Sequence, residues 1–140
     1  MFKPISYLEI QLLSGVSGGY IIAVNELSKS SFNQAAIIGQ AGTNNSAQLR
    51  QGGSKLLAVV AQEGSSNRAK IDQTGDYNLA YIDQAGSAND ASISQGAYGN
   101  TAMIIQKGSG NKANITQYGT QKTAIVVQRQ SQMAIRVTQR

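Results

Sequence analysis

The 140-residue chain contains no cysteine and no histidine. Without them there is no disulfide framework, no thiol chemistry, no Ser-His or Cys-His nucleophile and no ordinary zinc site. The lack of cysteine fits a cytosolic protein and an exported bacterial one equally, so it does not decide the compartment. Proline occurs once and the aromatics amount to 6 Tyr and 2 Phe, while Gln, Ser, Asn and 15 Gly fill much of the chain. So few large apolar side chains make a conventional globular core hard to build. No apolar run reaches the ~18 residues of a membrane-crossing helix. The net charge is +5, but the 12 Lys and Arg are scattered. With neither a dense basic run nor an aromatic stacking signature, no nucleic acid is expected as a dedicated partner.

What is present is a repeat. Gln40, Gln51, Gln62, Gln73, Gln84, Gln95, Gln106, Gln117, Gln128 and Gln139 follow one another in steps of 11. Two places before each stands an aliphatic: Ile38, Leu49, Val60, Ile71, Ile82, Ile93, Ile104, Ile115, Val126 and Val137. Four before is Ala, from Ala36 to Ala124, with Ile135 in the last unit. Six before is Asn45, Asn67, Asn78, Asn89, Asn100 or Asn111, replaced elsewhere by Gln34, Leu56, Lys122 and Met133. Two after is usually Gly, with Ala97 and Gln130 as exceptions.

Fixed residues at every second position share one face of a strand, whereas a helix would scatter them around its circumference. The Gly and its Ser, Thr, Asp or Asn neighbours are turn formers. Two strands per coil give a rung of about 22 residues, with rungs about 4.8 Å apart. The expected fold is all-β, a two-sheet parallel β-solenoid of cross-β, amyloid-like character. Its five rungs fall at 33–53, 54–75, 76–97, 98–119 and 120–140. Residues 1–32 stand apart as an atypical N-terminal segment expected to be disordered. The Ala and aliphatic columns form the core. The inward Asn and Gln stack on their equivalents in neighbouring rungs, because a side-chain amide carries both donor and acceptor. Nothing in 33–53 resembles a cap, so the first rung is expected to be an open template.

β-Solenoids also serve as polysaccharide-cleaving enzymes, which need two carboxylates roughly 5–10 Å apart. Asp72 and Asp83 each precede a Gln and point outward, but from successive strands and therefore from opposite sheets. Asp76 and Asp90 are turn formers. The calcium-binding G-G-x-G-x-D pattern is absent, and "GVSGG" at 15–19 lacks the Lys-Ser/Thr of a phosphate loop. No catalytic residue, metal ligand or cofactor is assigned, and the chain is not expected to be an enzyme. The outward position before each Gln varies from Gly39 and Arg50 to Val127 and Thr138 without the regularity of a flat ligand-binding array. It reads as a solvated face. A self-contained β-solenoid acting as a ligand-binding protein or surface adhesin is the alternative to an assembling one.

The last rung breaks the pattern. Lys122 and Met133 occupy Asn positions, and Lys122, Arg129, Arg136 and Arg140 give residues 120–140 a charge of +4 with no acid. Its charge suits an anionic partner, the outer membrane surface or an acidic accessory protein, so these four residues are the expected anchor.

The pattern Gln-x-Gly-x-x-Asn followed by x-Ala-x-aliphatic-x-Gln, as in "QAGTNNSAQLRQ", "QTGDYNLAYIDQ" and "QKGSGNKANITQ", resembles the curlin repeats of bacterial curli fibres. The resemblance runs from Ala23 to Arg140 and is closer to the minor, nucleating kind of subunit, since the major kind has more uniform repeats. It implies an extracellular amyloid protein of the cell-surface fimbrium that templates polymerisation of the major subunit in biofilm adhesion. The implied partners are that subunit, further copies of the chain and the secretion and accessory proteins of the outer membrane. The first 22 residues depart from the family. Glu9 and Gln11 interrupt their apolar stretch and no small-residue cleavage site closes it, so they read as a degraded or substituted leader.

Overall fold

The computed structural model describes residues 7–14, 19–26 and 33–140, with side chains from Gln34 onward. The described residues form twelve strands and no helix. They are β1 (Tyr7–Ser14), β2 (Gly19–Glu26), β3 (Asn33–Thr43), β4 (Asn45–Ser54), β5 (Leu56–Ser65) and β6 (Arg68–Asp76). The chain continues with β7 (Leu79–Ser87), β8 (Asp90–Gln95), β9 (Thr101–Ser109), β10 (Lys112–Gln117), β11 (Thr123–Gln128) and β12 (Ala134–Gln139).

From β3 onward successive strands alternate between two six-stranded sheets. Sheet A runs β1-β4-β6-β8-β10-β12 and sheet B runs β2-β3-β5-β7-β9-β11. From β3 onward every pairing is parallel and sets each residue beside the one 22 places later: Leu49 beside Ile71, Ile93 beside Ile115, Ile82 beside Ile104. This is a β-solenoid of about five turns, as the 11-residue period implies. The inner faces bury Ala36 to Ala124 and Ile38 to Val126 in one continuous cluster, with Ile135 and Val137 partly covered at its end. An Ala column is what lets the facing sheets approach closely, and the β-branched column fills the space between.

Strands run further than turn chemistry alone suggests, continuing through the Gly to a single left-handed residue. Asn44, Lys55, Ser66, Tyr77 and Ala88 all have φ between 56° and 59°. The Gly is required for space as well as for conformation. At Gly64, with φ 113°, an added Cβ would lie 1.9 Å from the carbonyl oxygen of Gly86 on the next rung. Stacking, not the turn by itself, excludes a side chain there.

One expectation is corrected. The first rung is not an open template, because β1 pairs antiparallel with β4 and β2 antiparallel with β3. Leu8, Ile10 and Leu12 stand in register with Gln51, Leu49 and Ala47, and Ile21 and Ala23 with Ile38 and Ala36. Within the segment 1–32 only these two strands are described. The rest of it lies outside the described residues, and the expectation of disorder there with it.

Candidate functional site

The feature with chemical content is the pair of amide columns between the sheets. Gln40, Gln51, Gln62, Gln73, Gln84, Gln95, Gln106, Gln117 and Gln128 are buried, and Gln139 is half-buried at the end. In sheet B, Gln62 Nε2 donates to Gln84 Oε1, Gln84 to Gln106 and Gln106 to Gln128, each at 2.8 Å. Gln40 begins this column by donating to Gln62. In sheet A, Gln51, Gln73, Gln95 and Gln117 each donate to the Gln 22 residues on, at 2.7–2.9 Å. The same nitrogen also bonds across to the other sheet, as Gln84 does to the Arg68 carbonyl at 2.8 Å and Gln95 to the Leu79 carbonyl at 3.0 Å. Each Gln from Gln51 to Gln117 therefore ties one rung to the next and one sheet to the other, which is how so many buried amides are accommodated.

The asparagines, all six buried, are organised differently. Asn67 Nδ2 donates to the Glu63 carbonyl of its own turn at 3.0 Å and to the Gly86 carbonyl of the next rung at 3.1 Å. Its Oδ1 accepts the backbone N–H of Asn89 at 3.2 Å. A shorter side chain than Gln cannot span the rung spacing to its own kind with good geometry, so Asn stitches turns to backbone. Asn89 to Asn67, at 3.2 Å, is the direct amide–amide contact of the set.

The columns have ends. Every Gln-to-Gln bond is donated toward higher residue number, so the first acceptor and the last donors fall outside the pattern. Gln51 Oε1 is buried without a hydrogen-bond partner among the described residues, on the strand that β1 pairs with. At the other end Gln128 and Gln139 donate to the Lys112 and Thr123 carbonyls, both at 3.1 Å. Among the described residues no further rung offers their second N–H an acceptor. β11 and β12 are the terminal strands of their sheets. The irregular last rung still docks by its backbone: Lys122 N–H donates to Asn100 Oδ1 and Met133 N–H to Asn111 Oδ1. The Lys122 side chain is half-exposed, and Arg129, Arg136 and Arg140 are exposed. Asp72 and Asp83 belong to different sheets. Among the described residues no cluster of acids could hold a metal.

The outward positions hold a signal that unit-by-unit reading missed. In sheet B the outward residue between Ala and the aliphatic is Ile37, Val59, Tyr81, Met103 or Ile125. In sheet A the same position holds Gln48, Lys70, Ser92, Asn114 or Arg136. The variation is not free. It follows a period of 22, and one face is apolar while the other is polar. Separating odd from even repeat units in the sequence would have found it. The phenol of Tyr81 is held above its ordinary range, first by burial among its neighbours and second by the carboxylate of Asp83.

Two comparisons bear on this geometry. Residues 42–75, 67–96 and 86–119 match the curlin associated repeat family. Over 38 residues, 27% of this chain, the sequence is 98% identical to the minor curlin subunit of Escherichia coli strain K12. Over an equal length it is 82% identical to the minor curlin subunit of Salmonella typhimurium strain LT2. The matched segment spans a quarter of the length of these curated relatives. No solved structure matches. With repeat matches running without a break from residue 42 to residue 119, on strands whose Gln, Ala and aliphatic columns are in register, the chain belongs to the curlin repeat family.

Proposed function

We propose that the chain is a subunit of an extracellular curli-type amyloid fibre and templates polymerisation of the major curlin subunit at the bacterial surface, in adhesion and biofilm formation. The observation that carries this reading is the open end of the solenoid. Among the described residues β11 and β12 are unpaired there on one side, and Gln128 and Gln139 each retain an N–H for another Gln. An incoming chain with the same period adds strands to both edges, extends both amide columns and buries the half-covered Val137. The units 33–53, 54–75, 76–97, 98–119 and 120–140 are the rungs it copies, with 1–32 apart from them. Its partners on this reading are the major subunit, further copies of itself and the secretion and accessory proteins of the outer membrane. No cofactor or catalytic step enters. Lys122, Arg129, Arg136 and Arg140 hold the fibre to an anionic surface.

The test is seeding. Added to a soluble major-type curlin subunit, the chain shortens the lag of dye-reported polymerisation. A lag that does not change with dose sinks the proposal. It would favour the self-contained adhesin instead, a reading to which the antiparallel strands closing the other end lend weight.

A further inference from the structure

The three outward columns that precede the glutamines in sheet B contain one charge, Asp83. Leu57, Leu79, Ile125 and Val127 are exposed there by 38, 36, 61 and 44%. The other exposed large apolar groups are tyrosines at turns, Tyr77, Tyr98 and Tyr118, and none lies on the outer face of sheet A. β2 pairs with the edge of this sheet, with Ile22 and Val24 in register with Ile37 and Ala35. A continuous apolar sheet face of this kind marks an interface.

We infer that the outer face of sheet B packs against the same face of a second copy, so that two solenoids run side by side in the assembled state. Two features select this occupant over a lipid surface. Membrane-binding surfaces place cations beside their apolar groups. Of the six cations of the regular rungs, Arg50, Arg68, Lys70 and Lys112 lie on sheet A, facing away, and Lys55 sits in a turn, while Lys107 on sheet B shares that sheet with Glu63 and Asp83. The second feature is area. Five strands about 4.8 Å apart and roughly six residues at 3.3 Å each present roughly 500 Å² per copy. A pair of single chains then buries about 1,000 Å², below the roughly 1,200–2,000 Å² of a stable complex. Stacked copies exceed that threshold, so pairing is weak between monomers and firm between fibres. The charged faces of sheet A remain outside, where like charges on two copies keep further solenoids from adding laterally.

The full chain is assembled and weighed per unit length by scanning transmission electron microscopy. Wild type is expected to give twice the mass per length of the triple variant Val59→Gln, Met103→Gln, Ile105→Gln, while both seed the major subunit alike. Equal values overturn the pairing without touching the templating proposal, which seeding reads separately. A second measurement needs no polar substitution in the face. Because the chain has no cysteine, Tyr81→Cys at the centre of the face reports cleanly. A bismaleimide spanning about 10 Å, the separation of packed sheets, should link copies through it about tenfold faster than through Ser92→Cys on sheet A. Equal rates overturn the pairing. So does co-sedimentation of soluble wild type, but not of the triple variant, with phosphatidylcholine or phosphatidylglycerol vesicles, which would give the face to lipid.

Discussion

Gln84 donates from Nε2 to Oε1 of Gln106, 22 residues on, at 2.8 Å, in a space where neither side chain reaches water. It also accepts from Gln62 and donates to the Arg68 carbonyl. Replacing Gln84 by Leu therefore strands three polar groups, and the expected loss is about 2–4 kcal/mol in denaturant unfolding. Gln51→Leu should cost about 1 kcal/mol less, because its Oε1 has no hydrogen-bond partner to lose. Ser92→Leu, outward on sheet A, should stay within about 0.5 kcal/mol. Equal losses for all three would mean that the columns contribute nothing.

The Gly slots give opposite signs at two positions. Gly64→Ala places a methyl group against the Gly86 carbonyl and should destabilise by about 3 kcal/mol or more. Ala97 occupies an equivalent slot at φ 79°, where a side chain is strained. Ala97→Gly should stabilise by about 0.5–1 kcal/mol. Thermal unfolding of the two variants beside wild type checks both signs.

Alkali should weaken the fold through Tyr81. Its pKa is higher in the folded chain than the ordinary 10.0, so the folded state holds the phenol proton more tightly than the unfolded state. That contribution is complete below pH 10 and is lost as pH rises through the folded value. Tyr81→Phe should flatten this part of the stability profile above pH 10. A profile unchanged by the substitution would show that other tyrosines carry the alkaline loss.

Neutralising the exposed end should separate surface retention from templating. Each basic residue near an anionic surface contributes about 1 kcal/mol. The variant Arg129→Gln, Arg136→Gln, Arg140→Gln should therefore release fibres into the medium while seeding in solution stays within about twofold of wild type. Fibres that remain on the cells, or seeding that is lost, would remove the anchoring role from these residues.

Much of this architecture was legible because two periodicities coincide: alternation along the strand and an 11-residue return. Ile82 and Gln84 announce their inward direction by recurring, and their partners 22 residues away recur with them. What stayed hidden has physical reasons. The outward residues Val59 and Lys70 look unrelated until units are sorted by sheet, because consecutive units face opposite sides of the solenoid. The left-handed residues include Lys55, Tyr77 and Ala88, types that do not favour that conformation, so stacking imposes it from above and below. The pairing of Leu8 and Ile10 with Gln51 and Leu49 is antiparallel and joins segments outside the repeat, and no period encodes such a contact.

The one-way donation of the glutamine bonds has an electrical consequence. Backbone amides in a strand point alternately up and down the solenoid axis and largely cancel, as sheet dipoles do. The Gln amides do not alternate. Eight of these bonds, from Gln40 to Gln139, point the same way, so two rows of amide dipoles of about 3.5 D each add along the axis. The end carrying β11 and β12 is their positive pole. An arriving chain is thus sorted before any side chain interlocks: approached acceptor-first it is drawn in, and approached donor-first it is repelled. A fibre grown on such an end is a vector, with every subunit facing the same direction.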